Sequence, residues 1–378
     1  MLNKKKIVFL TGTRADFGKI KSLIQILEEN QADFETSIFV TGMHLQKEYG
    51  YTFLEVEKCG FKNVDTFENH THETTMDLTL AKTIEGFSNY IKRVKPDLIV
   101  VHGDRVEALA GAIVGSLNNI LVSHIEGGEL SGTIDELIRH SVSKLSHIHF
   151  VSNKEAEKRL IQMGELNESI FEIGSPDVDI MFSESLPSIN EVKSYYEIPF
   201  ENYGIVMFHP VTTEVELLEK QVDTLLKSLE NSNKKYVVIY PNNDLGSTII
   251  IEAYKKLKKS SNFRILPSLR FEYFLTLLKN SEFIIGNSSA GVREAPYYNI
   301  PTINIGTRQN NRANSNGIVN IDFSIGEIKN AIVELGKGAN NNLNPVKFGS
   351  GNSSKEFYKV LKNEQFWDIN KQKQFNDI

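Results

Sequence analysis

The chain has 378 residues, 40% hydrophobic and 24% charged, a length beyond one ordinary domain and a composition that excludes disordered and fibrous classes. A formal net charge of -6 with no basic stripe argues against a broad nucleic-acid footprint while leaving room for a small phosphate-bearing ligand. The single cysteine, Cys59, rules out an internal disulfide, and no apolar run approaches the roughly 18 residues that cross a bilayer, so a cytoplasmic protein without membrane insertion is expected.

In chain order, the first strand-like run is 7–10, ending in Thr11-Gly12-Thr13-Arg14-Ala15-Asp16-Phe17-Gly18; Ile20, Leu23, Ile24 and Leu27 then mark an amphipathic helix. The unit recurs at 34–40 before Thr41-Gly42-Met43-His44, at 98–101 before His102-Gly103-Asp104-Arg105, and at 120–123 before His124-Ile125-Glu126-Gly127-Gly128-Glu129. A strand at 148–151, a helix at 154–163 and a strand at 170–173 leading into Gly174-Ser175-Pro176-Asp177 complete this half. Such alternation implies a parallel sheet. Residues 186–202, with Pro187 and Pro199 around a short helical patch, read as a connector.

A second winding places strands at 204–208, 236–240, 283–285 and 302–305. They end in His209-Pro210, Pro241-Asn242-Asn243-Asp244, Gly286-Asn287-Ser288-Ser289-Ala290-Gly291 and Gly306-Thr307-Arg308. The stretch from 353 through Trp367 reads as helical. The expected fold class is α/β, with two Rossmann-like doubly wound domains facing a central cleft. The first spans 1–185, with a C-terminal helix at 355–378 packing back on it; the second spans 186–354.

Ligands of open α/β sheets bind outside the carboxyl ends of strands, and nearly every unusual cluster here sits there. The Gly286 to Gly291 run, with small residues and two hydroxyls before an expected helix N-terminus, suits a diphosphate, and Glu294 is placed to accept from ribose hydroxyls. A serine-capped turn is the competing reading. Arg14 would bring a permanently charged fork to phosphate unless it is an ordinary surface arginine. His209 is a donor candidate or a structural histidine. Asn242 and Asp244, with Gly246 and Ser247, form a turn-like group by composition.

Asp104, Glu126, Glu129, Asp135 and Glu136 form an acidic set on two rims; carboxylates sharing a water-poor site have their pKa values pushed apart, giving one chain both an acid and a base. For Asp135 and Glu136, favourable charge at a helix start, with a Thr133/Glu136 capping box, competes. His102, His124, His140, His147 and His149 invite a metal reading, but no two-histidine helical motif accompanies them and no metal is expected.

These ordered motifs resemble those of the hydrolysing UDP-N-acetylglucosamine 2-epimerases of sialic-acid biosynthesis. The pieces that carry the likeness are Thr-Arg-Ala-Asp at 13–16, His-Gly-Asp-Arg at 102–105, His-Ile-Glu-Gly-Gly-Glu at 124–129 and Ser-Gly-Thr-Ile-Asp-Glu at 131–136. With them go Ile138-Arg139-His140, His-Pro-Val-Thr-Thr at 209–213, the Gly-Asn-Ser-Ser run and Gly-Thr-Arg-Gln at 306–309. The resemblance implies a glycosyltransferase-B-type fold and UDP held by Arg14, Arg105, His209, Asn242, Ser288, Ser289, Glu294 and Arg308, with Asp244 nearby and uracil near Leu269 and Phe271.

By the same likeness, catalysis falls to Asp104, Glu126, His209 and Asp135; the wider family has glutamate at the last position. Substrate and products would be UDP-N-acetylglucosamine, UDP and N-acetylmannosamine. The net reaction changes no oxidation state, so no cofactor is expected, and the implied assembly is a homodimer. Competing readings are a hydrolysing epimerase of a UDP-linked diacetamido sugar, a non-hydrolysing epimerase, and a catalytically silent nucleotide-sugar sensor.

Overall fold

Short runs of β-branched and aromatic residues with little polar interruption suit strands covered on both faces. Ile7, Val8 and Phe9 in one half, and Ile205 and Val206 in the other, are fully buried. The computed structural model describes residues 4–70, 75–131, 133–309, 317–335, 348–374 and 376–377. Two compact units are formed, one from Met1–Glu129, Asp135–Ser183 and Lys347–Ile378, the other from Leu130–Ile134 and Glu184–Val346.

The chain runs β1 (Lys5–Thr11), α1 (Arg14–Glu29), β2 (Phe34–Val40), α2 (Phe53–Lys58), β3 (Val64–Thr66), α3 (Met76–Val94), β4 (Leu98–His102) and α4 (Val106–Leu117). Next come β5 (Leu121–Ile125), α5 (Ile134–Leu145), β6 (Ile148–Val151), α6 (Lys154–Gln162), β7 (Ile170–Glu172) and α7 (Pro176–Met181). The second unit supplies α8 (Ile189–Tyr195), β8 (Gly204–Met207), α9 (Val215–Glu230), β9 (Tyr236–Ile239), α10 (Ser247–Leu257), β10 (Phe263–Leu266) and α11 (Phe271–Lys279). It continues with β11 (Phe283–Gly286), β12 (Thr302–Ile305), β13 (Ile318–Ile321) and α12 (Ile325–Leu335), and α13 (Ser353–Lys362) returns to the first unit.

One sheet has the order β3-β2-β1-β4-β5-β6-β7 and the other β10-β9-β8-β11-β12-β13. All pairings are parallel. Each order reverses once, beside β1 and beside β8, which gives each unit the switch point of a Rossmann-like fold. The fold class is therefore the expected one. The strands β3, β10 and β13, absent from the sequence reading, are edge strands whose apolar runs are interrupted by the polar Asp65, Arg264 and Asn320.

Three local expectations are corrected. The C-terminal stretch is not one helix to 378: α13 ends at Lys362, the Asn363 side chain accepts from the Gln365 N–H at 3.0 Å, and a 3-10 turn over Glu364–Asp368 follows. Phe357 and Phe366 of this stretch enter the first unit's core, with the Phe357 ring 4.8 Å from that of Phe150. Residues 186–202 are not a free connector, since Thr276 donates to the Pro187 carbonyl at 2.9 Å and Tyr273 to Glu191 at 2.7 Å within the second unit. After β11 the chain forms two 3-10 turns, Ser289–Gly291 and Ala295–Tyr298. No α-helix dipole follows the Gly-Asn-Ser-Ser run.

Candidate active site on the two strand rims

In the first unit, β1 ends in a turn closed by its own residues. Thr13 caps α1, the Asp16 carboxylate accepts from the Gly12 and Thr13 N–H groups at 3.0 and 3.1 Å, and the Thr11 hydroxyl also donates to it. Asp16 is thus a capping residue, and the reciprocal box leaves Arg14 as the half-buried first residue of the helix. Behind the turn, Glu107 of α4 packs so closely that a Cβ on Gly12 would lie 2.7 Å from its side chain. Burial pushes the Glu107 carboxyl above its ordinary range.

The rims of β4 and β5 hold the predicted acids. Arg139 of α5, 1% exposed, donates through Nη1 to the Glu126 carbonyl at 2.8 Å and through Nη2 to the Asp104 carboxylate. One guanidinium therefore ties both rims together. Asp135 is buried one helical turn before Arg139, on the same side of α5. Glu126 has φ +64, a conformation uncommon outside glycine, and is 2% exposed. Ser175 donates to its Oε1; His102 Nε2 and Lys19 Nζ lie 3.3 and 3.8 Å from its Oε2. Lys19 is itself 3.1 Å from Asp177.

The remaining acids are differently placed. Glu129 accepts from the Ser152 hydroxyl at 2.7 Å, and Glu136 is half-buried with His140 at 3.9 Å. Gly132, within the 131–136 motif, lies outside the described residues. His124, His147 and His149 serve separate structural purposes. His124 bridges the Gly103 carbonyl at 2.8 Å and the Ser143 hydroxyl at 2.9 Å, and burial holds it neutral. His147 accepts from the Val122 N–H, and His149 pairs with Glu165 at 2.9 Å. Among the described residues no group of three or more His, Cys, Asp or Glu side chains is arranged to hold a metal. Nor is any helix among them long and apolar enough to cross a membrane.

In the second unit, four neighbouring rims are linked in sheet order. The Asn242 N–H donates to His209 Nδ1 at 3.1 Å, which leaves the proton on Nε2 and makes that nitrogen a donor. The Asn287 side chain accepts from the His209 N–H at 2.7 Å and donates to the His209 carbonyl at 2.8 Å. The Asn287 carbonyl in turn accepts from Arg308 at 3.3 Å and Gln309 at 2.8 Å. Gly286, at φ +136, allows this close approach; a Cβ there would sit 2.0 Å from the Met207 carbonyl oxygen.

Ser288 uses its hydroxyl to cap the 3-10 turn through the Ala290 N–H, Ser289 begins that turn, and Glu294 is 3% exposed at the start of the next. Asp244 contributes its carbonyl to the Ser247 N–H in the turn before α10. Leu269 and Phe271 are buried on either side of Arg270, whose guanidinium lies over the rings of Tyr195 and Tyr273.

The model of the family described as UDP-N-acetylglucosamine 2-epimerase matches residues 26–362. The chain belongs to this family. A Neisseria meningitidis serogroup B protein named UDP-N-acetylglucosamine 2-epimerase is 47% identical over 99% of both chains. A Legionella pneumophila protein named UDP-N,N'-diacetylbacillosamine 2-epimerase (hydrolyzing) is 34% identical over 95% of this chain and 96% of its own. In fold, the chain is similar to a Methanocaldococcus jannaschii UDP-GlcNAc 2-epimerase solved with UDP-GlcNAc and UDP. The TM-score is 0.78 at 22% identity, covering 94% of this chain and 99% of that one.

Within each unit of this 2-epimerase-family chain the structure gathers part of the expected set: Asp104, Glu126 and Asp135 around α5, and His209, Asn242 and Arg308 around Asn287. Sequence reasoning gave no role to Lys19, Ser175, Asp177, Asn287 or Gln309, and named Arg139 only as part of a motif. Lys19 had a readable signal, a cation one turn into the first rim helix. The partner of Ser175 is 49 positions away and had none.

Proposed function

We propose that this chain is a hydrolysing UDP-N-acetylglucosamine 2-epimerase, converting UDP-N-acetylglucosamine and water to UDP and N-acetylmannosamine at the start of sialic-acid biosynthesis. The observation that carries the reading is the placement of two carboxylate residues side by side, the half-buried Asp104 and the buried Glu126, by the single guanidinium of Arg139, which bonds the Asp104 carboxylate and the Glu126 backbone carbonyl. Carboxylates fixed at neighbouring strand ends in this way are suited to proton transfer at carbon. The hydrogen on sugar C2 is barely acidic, because the acetamido nitrogen offers no enolate. When the bond from C1 to the diphosphate oxygen stretches, positive charge grows on C1 and the C2 hydrogen becomes acidic.

Departure of UDP therefore leads. Arg14, Arg105, His209 Nε2–H, Ser288, Ser289 and Arg308 stabilise the leaving diphosphate. Asn242, Asp244 and Glu294 hold the nucleoside, with uracil near Leu269 and Phe271. A carboxylate from the set Asp104, Glu126 and Asp135 takes the C2 proton, giving 2-acetamidoglucal. Water then adds at C1, while a proton reaches C2 from the opposite face. Loss of one leaving-group donor costs about 3 kcal/mol of barrier, roughly a hundredfold in rate.

Turnover of UDP-N-acetylglucosamine in heavy water tests this. Free UDP together with N-acetylmannosamine deuterated at C2 is the expected result, whereas UDP-N-acetylmannosamine as sole product would move the chain to the non-hydrolysing type. The full-length Legionella relative supports hydrolysis and also favours a second reading, a UDP-linked 2,4-diacetamido sugar as substrate. Competition between the two sugar nucleotides, read as kcat/KM, separates them.

A further inference from the structure

The turn Gly174-Ser175-Pro176-Asp177 enters none of the bond changes of the proposed reaction, yet it delivers two groups toward Glu126. Serine before proline at a helix start ordinarily caps that helix. Here Ser175 stands at the cap of α7 with Pro176 following, but its side chain makes no capping bond. The hydroxyl, fully buried, donates to Glu126 Oε1 instead. The returning chain sets this orientation: the Ser175 N–H donates to the Phe348 carbonyl at 2.5 Å, and a Cβ on Gly174 would lie 3.0 Å from Gly349 Cα.

The other carboxylate oxygen faces charged or titratable groups. His102 of β4 lies 3.3 Å from Oε2 and Lys19 of α1 lies 3.8 Å away, with Asp177 of α7 holding Lys19 from behind. From α5, Arg139 takes the Glu126 carbonyl and pairs with Asp104. Ser175 thus supplies a neutral hydroxyl donor to one carboxylate oxygen while the charges gather at the other.

We infer that Ser175 is a positioning residue for Glu126, acting through its hydroxyl on Oε1 and held in place by the returning segment at Phe348. The inference rests on the reading of Glu126 as a catalytic carboxylate. An O–H donor favours the ionised form of its acceptor. Its removal therefore moves the pH at which Glu126 ionises upward, whether that group works as base or as acid.

The test uses Ser175→Ala, Ser175→Cys, Glu126→Gln and the Ser175→Ala/Glu126→Gln pair, comparing kcat, the pH profile of kcat/KM, UDP affinity and thermal melting. Ser175→Ala is expected to lose about tenfold in kcat and to shift one limb of the profile upward by about one pH unit, with UDP affinity within about twofold of wild type. Cysteine, a weaker donor of similar size, falls between. If Ser175 acts through Glu126, the paired variant is no slower than Glu126→Gln alone. A Ser175→Ala profile superimposable on wild type, or a paired variant that loses the whole further factor, makes Ser175 merely structural and overturns the inference. Wild-type turnover by Glu126→Gln removes the catalytic reading itself, and is seen independently of Ser175.

Discussion

The rims of β4 and β5 in the first unit and of β8, β9, β11 and β12 in the second are built on one strand, turn, helix plan, but they are tied by different chemistry. In the first, ionised groups do the tying: Arg139 to Asp104, and Lys19 between Glu126 and Asp177. In the second, amides and backbone groups around Asn287 and His209 do it. Buried carboxylates that exchange protons need counter-charges to stay in place, since an unpaired buried charge is costly. On the proposed reading, a rim that receives a diphosphate gains from the opposite arrangement. The bonds that join these rims run between amide, imidazole and backbone groups with the Arg308 guanidinium, and none of them brings in a carboxylate.

Substitutions that spare one rim and strike the other sharpen this contrast. Asp104→Asn and Glu126→Gln should each lower turnover by about a thousandfold while leaving UDP affinity within a few-fold; steady-state kinetics beside calorimetric UDP titration checks it, and a collapse of UDP binding would erase the division of labour. Gly286→Ala forces a Cβ to 2.0 Å from the Met207 carbonyl at a φ of +136. It should cost 3 kcal/mol or more, on the order of other strained backbone sites, read by denaturant unfolding. Gly12→Ala, which meets the movable Glu107 side chain at 2.7 Å, should cost less.

Acid should strike the first unit before the second, since every histidine except His209 lies there. Burial holds His44 neutral, at about 4, between the Thr11 and Thr52 hydroxyls, and nearby Asp16 only partly offsets this. A depressed folded value means that the unfolded chain binds the proton first. The stabilisation is complete above about 6.5 and is lost as pH falls toward about 4, on the order of 3 kcal/mol in all. Melting curves across that window, with His44→Gln flattening the slope, measure it. The smallest effect is expected for Asn287→Ala, at about 2 kcal/mol in UDP affinity from the loss of its two hydrogen bonds to His209; unchanged affinity would mean that the Asn287 clamp has no bearing on the ligand.

Much of the fold was legible because its signals are local. The strands at Phe34–Val40, Ile148–Val151 and Thr302–Ile305 lie where the apolar runs put them. The helix expected after Gly286 was not legible, because Pro296 and the tight packing of Gly291 against Thr302 break that segment into 3-10 turns. Residue type and place on the rims did not by themselves separate Asp104, Glu126 and Glu129. Glu129 proved to be engaged by Ser152, and Asp104 and Glu126 to share Arg139.

By itself the sequence determined two rounds of strand and helix and the residue types at each strand end, since periodicity and turn chemistry act over a few neighbouring residues. Only the tertiary structure decided which polar groups are engaged and by what. Ser175 turns away from its own helix to Glu126, and Asn287 reaches 78 positions back to His209. Such pairings are selected by which groups burial leaves facing one another, and spacing along the chain does not encode that.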